Sequence, residues 1–116
     1  MNEESQKYFY DALAAARAII CFAQNKTFED YCSDDLLSSA IERKFEIIGE
    51  ALNRIRRKFP ADLEVIGEFP AIIGFRNILV HGYDHVEDSV VWGIVIKELP
   101  ELIKELEGIP GMNSED

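Results

Sequence analysis

Residues 33–60, SDDLLSSAIERKFEIIGEALNRIRRKFP, decide the fold. Within them Leu37, Ile41, Phe45, Ile48, Leu52, Ile55 and Phe59 follow at steps of four, four, three, four, three and four, the repeat of an α-helix with one buried ridge. A second stripe, Leu36, Ala40, Ile47 and Ala51, widens the apolar face until it needs two neighbours. Ser33 with Asp34 and Asp35 supplies a capping side chain and acids for the positive end of this helix, and Pro60 stops it.

The neighbours come from either side. From about Ser5 to Ala23, Phe9, Leu13, Ala16, Ile20 and Ala23 keep helical steps, and alanines at 12, 14, 15, 16 and 18 permit a close approach. After a polar link through Thr27 comes the long helix, and after it Ala61 to Glu68 is a connector or a short helix, limited by Gly67 and Phe69-Pro70. Pro70 suits the first turn of a helix from Ala71 to about His81, nearly every side chain of which is apolar. A last helix runs from about Glu87 to Glu107. Its β-branched start, Val90-Val91-Trp92-Gly93-Ile94-Val95-Ile96, suits a buried strand by residue type, but no second strand is available to pair with it. Val91, Val95, Leu99, Leu102 and Leu106 keep helical spacing, and Pro100 predicts a kink.

The expectation is an all-α, antiparallel helical bundle of four to five helices, one domain over residues 1–108 with a flexible tail over 109–116. With neither a basic and apolar leader nor an apolar run long enough to span a bilayer, the chain is expected in the cytoplasm, away from membranes. Cys21 and Cys32 form no CxxC pair and have two histidines in the chain for company, so neither metal nor disulfide is expected; one thiol should be buried, the other near a loop. No cofactor is implied.

A net charge of −10 rules out a broad basic surface that grips nucleic acid through many phosphates, so any RNA contact must be local. The charge is uneven. Arg43, Lys44, Arg54, Arg56, Arg57, Lys58 and Arg76 hold seven of the twelve cations, whereas nine acids follow Tyr83 against Lys97 and Lys104.

Chemistry concentrates in Arg76-Asn77-Ile78-Leu79-Val80-His81-Gly82-Tyr83. Burying a cation, an amide and an imidazole unpaired in an apolar helix costs several kcal/mol, so they are either satisfied or in use. Asn77 and His81 share a ridge, and Arg76 sits about 140° round the helix from His81. Gly82 suits a left-handed cap that leaves His81 in the final turn, where the negative helix end favours imidazolium. A His beside an Arg suits phosphodiester cleavage, the imidazole moving protons and the guanidinium meeting phosphate charge. Such cleavage wants both a base and an acid, which a symmetric dimer sharing two copies of His81 would supply. On spacing alone a structural role, with Arg76 paired to a buried Glu50 and His81 capping carbonyls, is the better reading of so short a motif, with catalysis the alternative.

The pattern Arg76-Asn77-x-Leu79-x-His81-x-Tyr83 resembles the Arg-x4-His-x-Tyr signature of the HepT-like branch of the HEPN toxins. The likeness extends through Ile47-Ile48-Gly49-Glu50-Ala51, Val91-Trp92 and Leu99-Pro100-Glu101-Leu102, from about Tyr8 to Ile109. The resemblance implies a HEPN-like helical homodimer that cuts RNA without metal and is partnered by an MntA-like minimal nucleotidyltransferase antitoxin. By position it makes Arg76 and His81 catalytic and Tyr83 the hydroxyl that the antitoxin AMPylates, which would place a nucleotide in the cleft beside Arg76 and silence it. Asn77 and Glu50 would support the site, Glu50 by orienting Arg76, though Glu50 facing solvent is an equal alternative.

Arg54 to Lys58 serve either as an RNA funnel or as the basic last turn that a helix C-terminus prefers. His85 suits an exposed loop, and Trp92 suits core or dimer interface better than a base-stacking platform. Two other functions compete with the toxin ribonuclease: a non-catalytic module of the same fold that binds a nucleotide or the nucleotidyltransferase, and a dimerisation domain without ligand.

Overall fold

In the computed structural model, residues 1–67 and 87–112 are described. Among them every regular element is helical, as the spacing predicts. The first helix, α1 (Glu3–Ala23), begins two residues before Ser5 because Asn2 caps it, its Oδ1 accepting from the Glu4 amide at 2.6 Å. Asn25, at φ 63°, takes the left-handed conformation that Asn tolerates and turns the chain.

A short helix, α2 (Phe28–Ser33), follows where a link is expected. Thr27 and Asp30 close a reciprocal capping box: the Asp30 amide donates to Thr27 Oγ1 at 3.1 Å and the Thr27 amide to Asp30 Oδ2 at 2.9 Å. The long helix α3 (Asp35–Lys58) is capped by Asp34 rather than Ser33, its Oδ1 accepting from the Leu36 amide at 3.0 Å. A 3₁₀ turn (Pro60–Val65) then leads to Ile66, which is buried. The expected helix over residues 71–81 lies outside the described residues.

The last stretch is helical throughout but changes register: α4 (Asp88–Gly93), a π turn (Ile94–Glu98) and α5 (Leu99–Glu107). Pro100 explains the interruption. It has no N–H for the Ile96 carbonyl and its ring would press on that carbonyl, and the wider turn before it, with the Leu99 amide donating to Ile94 O, relieves the clash.

The core lies between α1, α3 and the α4–α5 rod. Phe9, Leu13 and Ile19 of α1 meet Ile41, Phe45, Ile48, Leu52 and Ile55 of α3, all fully buried. Ala12, Ala15 and Ala16 are buried at the same seam and let the two helices approach closely. Val91, Val95, Leu99, Leu102 and Leu106, the expected ridge of the last helix, are all buried. Tyr31 of α2 is buried with its ring centroid 5.6 Å from that of Trp92, which is half-buried against the core.

Some expected core positions move. Ile20 is exposed and Ile19 takes its place, while Leu36 is 81% exposed. Neither cysteine is buried: Cys21 and Cys32 are both free and exposed. Packing also continues past Gly108, where a tail is expected to begin. Ile109 and Met112 are buried, Gln6 Nε2 donates to the Pro110 carbonyl at 3.3 Å, and Gly111, at φ 92°, makes the turn between them.

α1 and α3 run antiparallel, and two contacts fasten one end of the pair. Lys58 Nζ donates to Glu4 Oε2 at 2.7 Å, and the buried Ser5 hydroxyl donates to Asp62 Oδ2 at 2.6 Å. The Lys58 ammonium and then the Tyr8 hydroxyl hold the Glu4 carboxyl below its ordinary pKa of 4.5. A carboxyl with a lowered folded-state pKa contributes stability above its unfolded pKa and loses that contribution as pH falls through the folded value. Urea melts from about pH 6 down to about pH 3 should therefore show a shallower loss of stability in Glu4→Gln than in the unaltered protein. Equal slopes would show that the clamp adds nothing. For the core, Leu102→Ala should cost about 3 kcal/mol in a urea melt while Leu36→Ala stays within about 0.5 kcal/mol.

Candidate functional site

Arg76, Asn77, His81 and Tyr83, and with them His85, lie outside the described residues. Glu50 is described. It sits at the middle of α3, on the turn that follows Ile47, and its side chain is 32% exposed, between the two positions open to it from sequence. Glu50 Oε2 accepts from Arg54 Nε at 2.8 Å, one helical turn on. The Arg54 guanidinium carbon in turn stands 5.8 Å from the centroid of the Tyr8 ring on α1. Tyr8 donates its hydroxyl to Glu4 Oε2 at 2.9 Å. A continuous chain of charge and ring thus crosses from the middle of α3 to the start of α1.

This chain includes part of the basic run. Arg54 is engaged by Glu50 and Lys58 by Glu4, and Arg56 donates to the side-chain carbonyl of the buried Asn53. These three cations each meet a neighbouring side chain near the end of α3, where basic residues suit the negative end of the helix.

A feature that the sequence did not single out lies along the outer faces of the same two helices. A furrow of about 350 Å³ runs between them, floored by Ala14 and Ala15 of α1 and Ile47 and Ala51 of α3. Lys7, Tyr8 and Asp11 form one rim. Arg43, Lys44, Glu46, Glu50 and Arg54 form the other. The signal was present in the spacing: Arg43, Ile47, Glu50 and Arg54 are four, three and four apart, as Lys7, Asp11 and Ala14 are four and three apart. Ile47 and Ala51, of the expected second apolar stripe, both pack on the core, and the half-buried Ile47 also lines the furrow.

Of the remaining reactive groups, the exposed Cys32 thiol is held toward its neutral form. Desolvation and the nearby Asp88 carboxylate raise the pKa of its thiol, against the thiolate that reactivity requires. Among the described residues no cluster of three or more His, Cys, Asp or Glu side chains could hold a metal ion, and no helix is long and apolar enough to cross a membrane.

Comparison with known proteins adds a second line of observation. A family model described as ribonuclease HepT-like matches residues 12–109, which in sequence includes the whole of the Arg76 to Tyr83 segment. A candidate RNase of Methanocaldococcus jannaschii is 32% identical over 110 residues, covering 91% of this chain and 96% of that protein. A candidate RNase of Caldanaerobacter subterraneus subsp. tengcongensis is 35% identical over 83 residues, 72% of this chain and 73% of its own length. A protein of Thermococcus cleftensis named as a candidate ribonuclease HepT is 31% identical over 104 residues, 88% of this chain and 92% of that one. No solved structure matches the chain significantly.

Proposed function

Because the chain belongs to the HepT-like ribonuclease family, we propose that it is the toxin of a toxin–antitoxin pair, a metal-independent endoribonuclease that cuts RNA at a homodimer cleft. The observation that carries the proposal is the family match over residues 12–109, within which Arg76, His81 and Tyr83 keep the Arg-x4-His-x-Tyr spacing.

In this reading one His81 imidazole takes the proton from a ribose 2′-hydroxyl, and the freed oxygen attacks the adjacent phosphorus. The 5′-oxygen leaves with a proton from the second His81 across the two-fold axis, giving a cyclic phosphate and a 5′-hydroxyl. Arg76 meets the charge that grows on the non-bridging oxygens. Asn77 and Glu50 support the site. With Glu50 Oε2 accepting from Arg54, the carboxylate joins the site to the polar chain that ends at Glu4.

Silencing follows from chemistry at Tyr83. An MntA-like minimal nucleotidyltransferase would transfer AMP from ATP: the Tyr83 phenol oxygen attacks the α-phosphorus, pyrophosphate leaves and the phenol proton passes to solvent. The attached phosphate then occupies Arg76 and the nucleoside fills the cleft.

RNA cleavage in EDTA by the purified, unmodified protein should fall about 100-fold or more in both Arg76→Ala and His81→Ala variants that remain dimeric. If unmodified wild type, its mass verified, cuts no RNA, the non-catalytic binding module replaces this reading. Incubation with ATP and the partner nucleotidyltransferase should add one AMP to the intact mass and abolish cleavage, and Tyr83→Phe should gain nothing. Addition that persists in Tyr83→Phe would refute the modification site.

A further inference from the structure

We propose that the furrow between the outer faces of α1 and α3 is a track for the single-stranded RNA that flanks the scissile bond, an inference that rests on the ribonuclease reading.

Charge is the first reason. The furrow gathers Lys7, Arg43, Lys44 and Arg54 against Asp11, Glu46 and Glu50, an excess of one positive charge on a chain of net charge −10. Three are held in place by carboxylates of their own helix: Lys7 by Asp11 at 3.0 Å, Arg43 by Glu46 at 3.1 Å and Arg54 by Glu50 at 2.8 Å. Such exposed pairs are individually weak, so they orient the cations on the rim without sequestering them from a phosphate. Lys44 makes no ion pair among the described residues.

Shape is the second. Arg43 and Arg54 lie eleven residues apart on one helix, about 16 Å at the α-helical rise. That accommodates roughly five stacked nucleotides. Between the cationic ends lies the floor of Ala14, Ala15, Ile47 and Ala51, apolar and shallow, against which base faces can rest. The Arg54 guanidinium, already over the Tyr8 ring, offers a flat cation at one end for stacking.

The same layout argues against a second copy of the chain as occupant. Lys7 and Arg54 mark one end of the furrow, and Arg43 and Lys44 the other. A two-fold partner laid face to face would oppose two faces that each carry one positive charge in excess, so like copies gain no net attraction there. A polyanion satisfies both ends at once. Glu50, the residue expected from sequence to support Arg76, belongs to the furrow wall.

The test is binding to a fluorescein-labelled single strand of 2′-O-methyluridines, which cannot be cut because its 2′-oxygen is blocked. Anisotropy titrations at several salt concentrations should give at least about fivefold weaker binding for Arg43→Gln/Lys44→Gln. The slope of log K against log salt should shrink by about 1.4, or 0.7 per lost cation. Lys97→Gln/Lys104→Gln removes the same charge away from the furrow and should retain both affinity and slope. Equal losses in the two pairs would reduce the effect to the field of the whole molecule and overturn the track, as would no loss, or no binding by wild type. Equal affinity for poly-glutamate would overturn RNA as the occupant. Cleavage is scored separately: wild-type binding without cleavage sinks the ribonuclease and leaves the furrow a binding site, whereas cleavage with unaltered binding in Arg43→Gln/Lys44→Gln sinks the furrow alone. Circular dichroism confirms that each variant is folded.

Discussion

The close contact of α1 with α3 is the constraint on which the rest of the structure depends. Alanines at 12, 15 and 16 remove side-chain bulk from one helix, so Phe45, Ile48 and Leu52 of the other can reach the core from a near-touching backbone. That closeness has two consequences. On the inner side it leaves room for the α4–α5 rod to add Val95, Leu99, Leu102 and Leu106 to the same core. On the outer side it brings the polar faces together, so Glu4 meets Lys58 and Tyr8 lies under Arg54. Larger residues along α1 would push the helices apart and dissolve core, clamp and furrow together.

What the sequence made legible was periodicity under strong burial. The ridge from Leu37 to Ile55 and that from Val91 to Leu106 are both buried as spaced, because a helix surrounded on its apolar side tolerates no other register. The choice of helix for the β-branched run at 90–96 rested on spacing over residue type, and spacing prevailed. Legibility fails where burial depends on something other than period. In α1 so many positions are alanine that Ile19 and Ile20 compete for one seam, and the packing partner selects Ile19. The π turn is a response to one missing amide at Pro100 and leaves no mark in the hydrophobic pattern. Ile109 and Met112 sit among prolines and glycines, a composition that suggests a loose tail, yet each fills a place at the end of the core.

The candidate site divides in the same way. Arg76, Asn77, His81 and Tyr83 were found as polar residues in an otherwise apolar segment, a signal of composition that needs no coordinates, and the family match covers that segment in sequence. Glu50 was found as a carboxylate on an apolar face, and its half-buried ion pair with Arg54 shows why that position tolerates a charge. The furrow has no signature in either helix's sequence because it belongs to neither helix alone. Its rims are ordinary solvent-facing polar stripes on α1 and α3 until the two are placed side by side, and only the pairing turns Lys7 and Arg54 into one end of a groove and Arg43 and Lys44 into the other.

An acidic protein that acts on a polyanion faces a physical problem, and the charge layout answers it. A net charge of −10 repels RNA at long range, but at physiological ionic strength the repulsion decays over roughly 8 Å. Contact is then governed by charges within a few ångströms, and there the α1–α3 face differs from the acid-rich α5. Local pairing of Lys7, Arg43 and Arg54 with carboxylates of their own helix orients these cations along that face. The acidity of the chain thus weakens association with nucleic acid in general, and any binding must come from local groups of cations such as those of the α1–α3 face.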